Sequence, residues 1–206
     1  MTRLVWILFF LLLSKAGAHS ADQYLQAAYL KLSPNGLELE LDLTPGEQVA
    51  PQLLKLIDQN RDGILGQSEL QQYAQQVVNN LQLKVDQSLQ TLKLEPVKPP
   101  ATNVFLAGGG TIKIVARADL TIGSGTHKLE FRNAHLPVKS AYLANVFVQS
   151  ENIKVNQQSR NQNQSEYLVE YDMLTVPFGI AAISSSGWML IGMLSLMILG
   201  LFLVFR

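Results

Sequence analysis

The twelve residues Asp58–Glu69, DQNRDGILGQSE, place oxygen-bearing side chains at a fixed spacing. Asp58, Asn60 and Asp62 stand first, third and fifth, Gly63 sixth, and Glu69 last. A glycine at the sixth place lets the backbone turn sharply where a side chain would resist. A hard cation such as Ca²⁺ takes about six to eight oxygens at roughly 2.3–2.6 Å. In this spacing Asp58, Asn60 and Asp62 each offer one side-chain oxygen. Ile64 offers its backbone carbonyl, and Glu69 reaches back with both carboxylate oxygens. Leu65, in eighth place, supplies an apolar side chain.

The flanks have helical periodicity. Val49, Ala50, Leu53, Leu54 and Ile57 form one apolar stripe before the loop, and Leu70, Tyr73, Ala74, Val77 and Leu81 form another after it. An Asp/Asn/Gly surface turn between two helices has some of the same composition. Such a turn requires neither the closing glutamate nor the paired stripes. Residues 47–80 therefore resemble the EF-hand family, and the match is specific at the five ligand positions. The resemblance implies one bound Ca²⁺. Gly66, in ninth place, has no side chain to hold a coordinating water, Arg61 opposes the three carboxylates, and no second loop of this kind occurs. The expected affinity is weak, roughly 10⁻⁴–10⁻³ M.

Both ends of the chain suggest export and anchoring. Arg3, the apolar run Leu4–Leu13 and Ala16-Gly17-Ala18 have the order of a secretory signal peptide over residues 1–18, so that the mature chain begins at His19. No charged side chain occurs from Met173 to Phe205, and residues 188–205 are long enough to span a bilayer, with Trp188 at the interface and Arg206 beyond it. Pro177 and Ser184-Ser185-Ser186-Gly187 mark a linker over residues 177–187. The expected topology is single-pass, in a bacterial inner membrane, with the body in the periplasm or outside the cell.

Of 16 basic residues two, Arg3 and Lys15, lie in the leader, which leaves 14 against 16 acidic ones. A basic face for nucleic acid is therefore not expected. With no cysteine the chain has neither a disulfide framework nor a thiolate metal site. Its body is long enough to bury a core without them.

Outside the loop the pattern is that of strands. Gln23–Leu32 and Gly36–Leu43 flank Pro34-Asn35-Gly36, with Leu37, Leu39, Leu41 and Leu43 alternating. Further strands are expected over 82–85, 89–94, 111–120, 127–133, 142–148 and 167–171. The proline-rich stretch 95–100 is read as a break, 108–110 as a turn, and the polar run Asn156–Ser165 as an exposed loop. The predicted fold is mainly β, an antiparallel immunoglobulin-like sandwich over 19–176 with the helical hairpin 47–80 inserted and a C-terminal transmembrane helix.

Chemistry beyond the loop is sparse. There is no nucleophile elbow, no HExxH and no cysteine, so an enzyme is not expected. His19 at a mature N-terminus would chelate a transition metal through its amine and imidazole. His127 and His135 are expected to be strand-end side chains bonded locally. Residues 19–43 together with Phe131–Val148 resemble the extracytoplasmic domains of some hydrogenase/urease-type nickel permeases (HupE/UreJ-like). That resemblance suggests an accessory role in metal handling, with His19 taking part and a transporter as partner. A permease has several spans where this chain has one, so transport itself is not implied. The leading expectation is a membrane-anchored extracytoplasmic binding module with one Ca²⁺.

Overall fold

A computed structural model describes residues 21–174. The expected leader, His19, the linker and the 188–205 span lie outside the described residues. Among the described residues no helix is long and apolar enough to cross a membrane.

The chain runs β1 (Tyr24–Ser33), β2 (Gly36–Pro45), α1 (Ala50–Ile57), α2 (Gln67–Asn79), β3 (Leu81–Val85), β4 (Ser88–Leu89), β5 (Lys93–Leu94), α3 (Thr102–Leu106), β6 (Ile112–Asp119), β7 (Gly125–Asn133), β8 (Ser140–Val148), β9 (Ile153–Arg160) and β10 (Glu166–Met173). Two five-stranded sheets form, in the orders β5-β6-β2-β1-β8 and β4-β3-β7-β10-β9. Both contribute to one core, where Leu30, Leu39 and Ile114 of the first sheet cluster with Leu129, Val169 and Tyr171 of the second. Alternation is the cause. Along β2 every second residue is leucine and buried, while Glu38, Glu40 and Asp42 face out. On that outer face Lys31 bridges Glu38 and Glu40, Lys113 joins Glu40 and Asp42, and Arg117 joins Glu38 and Glu95. These partly exposed pairs fix register more than they add stability.

Three expectations need correction. The first sheet is not wholly antiparallel, because β1 pairs with β8 in parallel, from Tyr24↔Ser140 to Leu32↔Val148. The stretch 89–94 is not one strand: Ser88–Leu89 pairs with β3 in one sheet and Lys93–Leu94 with β6 in the other, as the chain crosses between layers. The polar run Asn156–Ser165 is a loop only in its second half: β9 extends to Arg160 and pairs with β10, and residues 161–165 make the turn between them. The side chains of β9 are mostly exposed, so an edge strand of this kind gives no hydrophobic period.

The register also orients the molecule. Tyr24, Pro45 and Ser140 share one end, and the helices follow β2 there. Ser33, Gly36 and Val148 share the other, where the Leu174 amide bonds the Asn152 carbonyl at 2.7 Å. The chain thus leaves the described fold at the end opposite the helices.

Candidate metal centre

The helices flanking the loop bury the apolar stripes expected of them. Pro51 occupies the first turn of α1, where it removes no needed donor, and Ala50, Leu53 and Ile57 of that helix are buried. In α2 the buried face is Leu70, Tyr73, Ala74, Val77 and Val78. The helices run from Ala50 to Asn79, and Leu81, expected as the last residue of the second helical stripe, belongs instead to β3.

Between them the backbone wraps around the Asp58 carboxylate. Asp62 N–H donates to its Oδ1 at 3.2 Å and Gly63 N–H to its Oδ2 at 2.9 Å. Asn60 Oδ1 accepts from Asp62 N–H at 2.9 Å, and Asp62 Oδ1 from Ile64 N–H at 2.8 Å. Gly63 has φ +79° and Arg61 φ 61°. The first value is readily adopted only by glycine. Leu65 is buried, and its N–H donates to Thr102 Oγ1 at 3.0 Å, which ties the loop to α3. Gly110 permits that seat for α3, because a Cβ there would lie 2.5 Å from Phe105 Cα.

Glu69 sits differently from the expectation. Its Oε1 accepts from Gln59 N–H at 2.9 Å and Asn60 N–H at 3.1 Å, and its Oε2 from Gly66 N–H at 3.2 Å. Each carboxylate oxygen has about two acceptor sites, so Oε1 is fully engaged by backbone donors. A two-oxygen grip on a cation requires Glu69 to give up at least one of these bonds. The role of Gly66 follows from this geometry: a Cβ in its place would meet Glu69 Oε2 at 2.8 Å. The sequence shows a missing ligand at that position, whereas in the fold the glycine makes room for the inward-turned carboxylate.

Among the described residues no group of three or more His, Cys, Asp or Glu side chains converges as a metal site. The hydrogen bonds give a reason, since they turn Glu69 toward the loop backbone. Asn60 Nδ2 also donates to Asp62 Oδ2 at 3.0 Å. The donor set still suits a hard cation, with two acidic side chains, Asp58 and Glu69, each 8 % exposed, and Asp62 and Asn60 at the rim. Ile64 is exposed, as a residue contributing only its carbonyl can be.

The expectation of local bonding holds for one contact of His127 and fails for the side chain of His135. His127 Nδ1 lies 2.7 Å from Asp86 on the turn after β3, with Nε2 3.0 Å from the Gly123 carbonyl. His135 is buried, and its Nε2 lies 2.9 Å from the Tyr73 hydroxyl on α2, which lies 3.0 Å from that of Tyr24. Burial lowers His135 to about 4 and raises Tyr73 to about 12. With His135 neutral, one consistent order of donors runs from Tyr24 to Tyr73 to Nε2. Around this row Gln26 Nε2 donates to the His135 carbonyl at 2.9 Å and to Ser140 Oγ at 2.6 Å, and Asn133 Nδ2 donates to Gln26 Oε1 at 2.8 Å. This buried polar cluster joins α2 to both sheets. Its one legible sign is Gln26, which occupies an inward register between Tyr24 and Ala28.

No protein-family model, curated protein or solved structure matches the chain.

Proposed function

We propose that the chain is a membrane-anchored extracytoplasmic binding module, not an enzyme, stabilised by one Ca²⁺ in the Asp58–Glu69 loop. The observation that supports it most is the turn of residues 58–63 about the Asp58 carboxylate, with Gly63 at φ +79°. It gathers the oxygens of Asp58, Asn60 and Asp62 on a short arc, with the Ile64 carbonyl next in line. Ca²⁺ binding draws Glu69 off the backbone, and the cost of those bonds is one source of the weak affinity. The Asp58–Glu69 loop, buried at its first and last ligands, acts as a stabilising clamp between α1 and α2.

We further propose that the sandwich is immunoglobulin-like. In such domains one sheet runs A-B-E-D and the other C-F-G. The order β1-β2-β6-β5 matches the first, and β3-β7-β10 matches the second if β8 and β9 are an insertion before the last strand. The helical hairpin then lies in the B–C connection. This is an analogy of fold and carries no activity. The alternative, an accessory role in metal handling through His19, falls on a residue outside the described ones. Thermal melts of the full chain in EDTA, Ca²⁺ and Mg²⁺ test the calcium reading. A Ca²⁺-specific rise in melting temperature that Asp58→Ala removes supports it, and identical melts in all three refute it.

A further inference from the structure

A groove of about 400 Å³ opens between α1 and the connection that leads from β7 to β8. Val49, Leu53 and Leu56 form one wall, and Leu136, Pro137 and Val138 form the other. Leu56 is 51 % exposed and Val138 93 %, so the apolar surface continues out of the groove onto its rim. Contiguous apolar surface with a polar border marks an interaction site more often than chance exposure does.

The second wall is held in a costly conformation. Leu136 has φ 44°, a region bulky side chains avoid. Ser140 Oγ grips the Leu136 carbonyl at 2.6 Å, while Tyr142 and Gln26 hold the His135 carbonyl at 2.8 and 2.9 Å. Strain persists where the surroundings over-determine it, and such places cluster at ligand clamps. Here the buried polar cluster holds Leu136-Pro137-Val138 toward water.

The geometry points to a docking groove for an acid-flanked apolar helix of a second protein. This rests on the binding-module reading and names its partner chemistry. Beside Tyr24, whose hydroxyl is bonded to Tyr73, the polar side chains of the groove are Gln52 and Lys139, with Lys139 Nζ donating to Gln52 Oε1 at 3.0 Å. No carboxylate lines it, so its one formal charge is positive and favours a carboxylate beside an apolar anchor. A small ligand filling the groove would leave Val138 in water, whereas a helix with large apolar residues one turn apart covers groove and rim together. The groove is at the Tyr24–Ser140 end, and the chain leaves the fold at Leu174 at the other end.

The test uses the full chain in phosphatidylcholine nanodiscs and a labelled helical peptide with leucines three and four apart and glutamates at both ends. Anisotropy should show binding, with the lysine-ended version of the peptide at least about tenfold weaker. Val138→Asp and Leu56→Glu, at exposed positions, should each weaken binding at least about tenfold without moving the melting temperature. Lys139→Glu should reverse the preference between the peptides. Equal binding of both peptides, or binding indifferent to Val138→Asp, overturns the proposal. So does displacement of the peptide by phosphatidylglycerol vesicles, which gives the groove to lipid, or a dimer in sedimentation that Val138→Asp dissolves, which gives it to a second copy. Failure here leaves the calcium-dependent melt untouched. Peptide binding retained alongside a melt indifferent to Ca²⁺ supports the groove and refutes the calcium reading alone.

Discussion

The Tyr73 hydroxyl on α2 lies 2.9 Å from Nε2 of His135, in the connection after β7. It joins the helix that starts beside the Asp58–Glu69 loop to the wall that carries Leu136 and Val138. Because His135 is buried and its ordinary value of 6.5 falls to about 4, folding opposes its protonation. Through that window the unfolded chain binds more protons than the folded one, so stability falls as pH drops. The contribution is complete above 6.5 and fully lost below about 4. Between those limits the wild type should lose roughly 3 kcal/mol more than His135→Gln. Denaturant melts at several pH values check this, and parallel curves would show that His135 titrates normally.

Calcium dependence turns on Glu69 and Gly66. Because the Glu69 carboxylate accepts three backbone N–H groups, Glu69→Gln should cost about 1–3 kcal/mol even in EDTA. It should also remove the calcium increment, which at a ligand level of about ten times Kd is roughly 1.4 kcal/mol. Gly66→Ser should act in the opposite sense on binding. Its Cβ displaces Oε2, freeing the carboxylate for the cation, so Ca²⁺ should bind more tightly while the EDTA melt falls. Calorimetric titration of both variants checks the pair.

Arg160 closes an open sheet edge. Its guanidinium donates to the Ala144 carbonyl at 3.1 and 2.8 Å and lies 4.3 Å over the Tyr167 ring, and the Tyr167 hydroxyl accepts from Val146 N–H at 3.2 Å. An edge strand with free backbone groups templates association. Arg160→Ala should therefore cost about 1–2 kcal/mol and increase self-association, read by sedimentation velocity over a concentration series.

Tyr171 is buried, and among the described residues its hydroxyl has no hydrogen-bond partner. Removing a buried polar group that has no partner relieves its desolvation cost. Tyr171→Phe should be neutral or stabilise by up to about 1 kcal/mol. A loss of more than that in a chemical melt would mean the hydroxyl is satisfied.

How far the sequence reaches depends on which face a residue serves. The leucines of β2 and the apolar stripes of α1 and α2 repeat with the period of their element, and those elements stand where the period placed them. β9 has no such period because nearly all of its side chains, on both faces, are exposed, so its glutamines and asparagine look like a loop. The parallel union of β1 with β8 has no local signature either, being a choice among edges far apart in the chain. At the loop, the spacing names Asp58, Asn60, Asp62 and Glu69. It does not convey the inward turn of Glu69, which depends on the empty volume above Gly66. His135 in sequence looks like any strand-end histidine, and only its burial against Tyr73 and Tyr24 sets it apart.

The parallel pairing of β1 with β8 also shapes the order of events in folding. As the chain emerges, β1 and β2 can close at once as a hairpin, since they are adjacent. The other edge of β1 stays open until Ser140–Val148 has been made, after the helices and most of the second sheet. Contacts between such distant segments slow folding, and through that delay an apolar hairpin with one unsatisfied edge is exposed to neighbours. A chaperone that shields β1 until β8 arrives would raise the yield of this chain more than one acting on the finished fold.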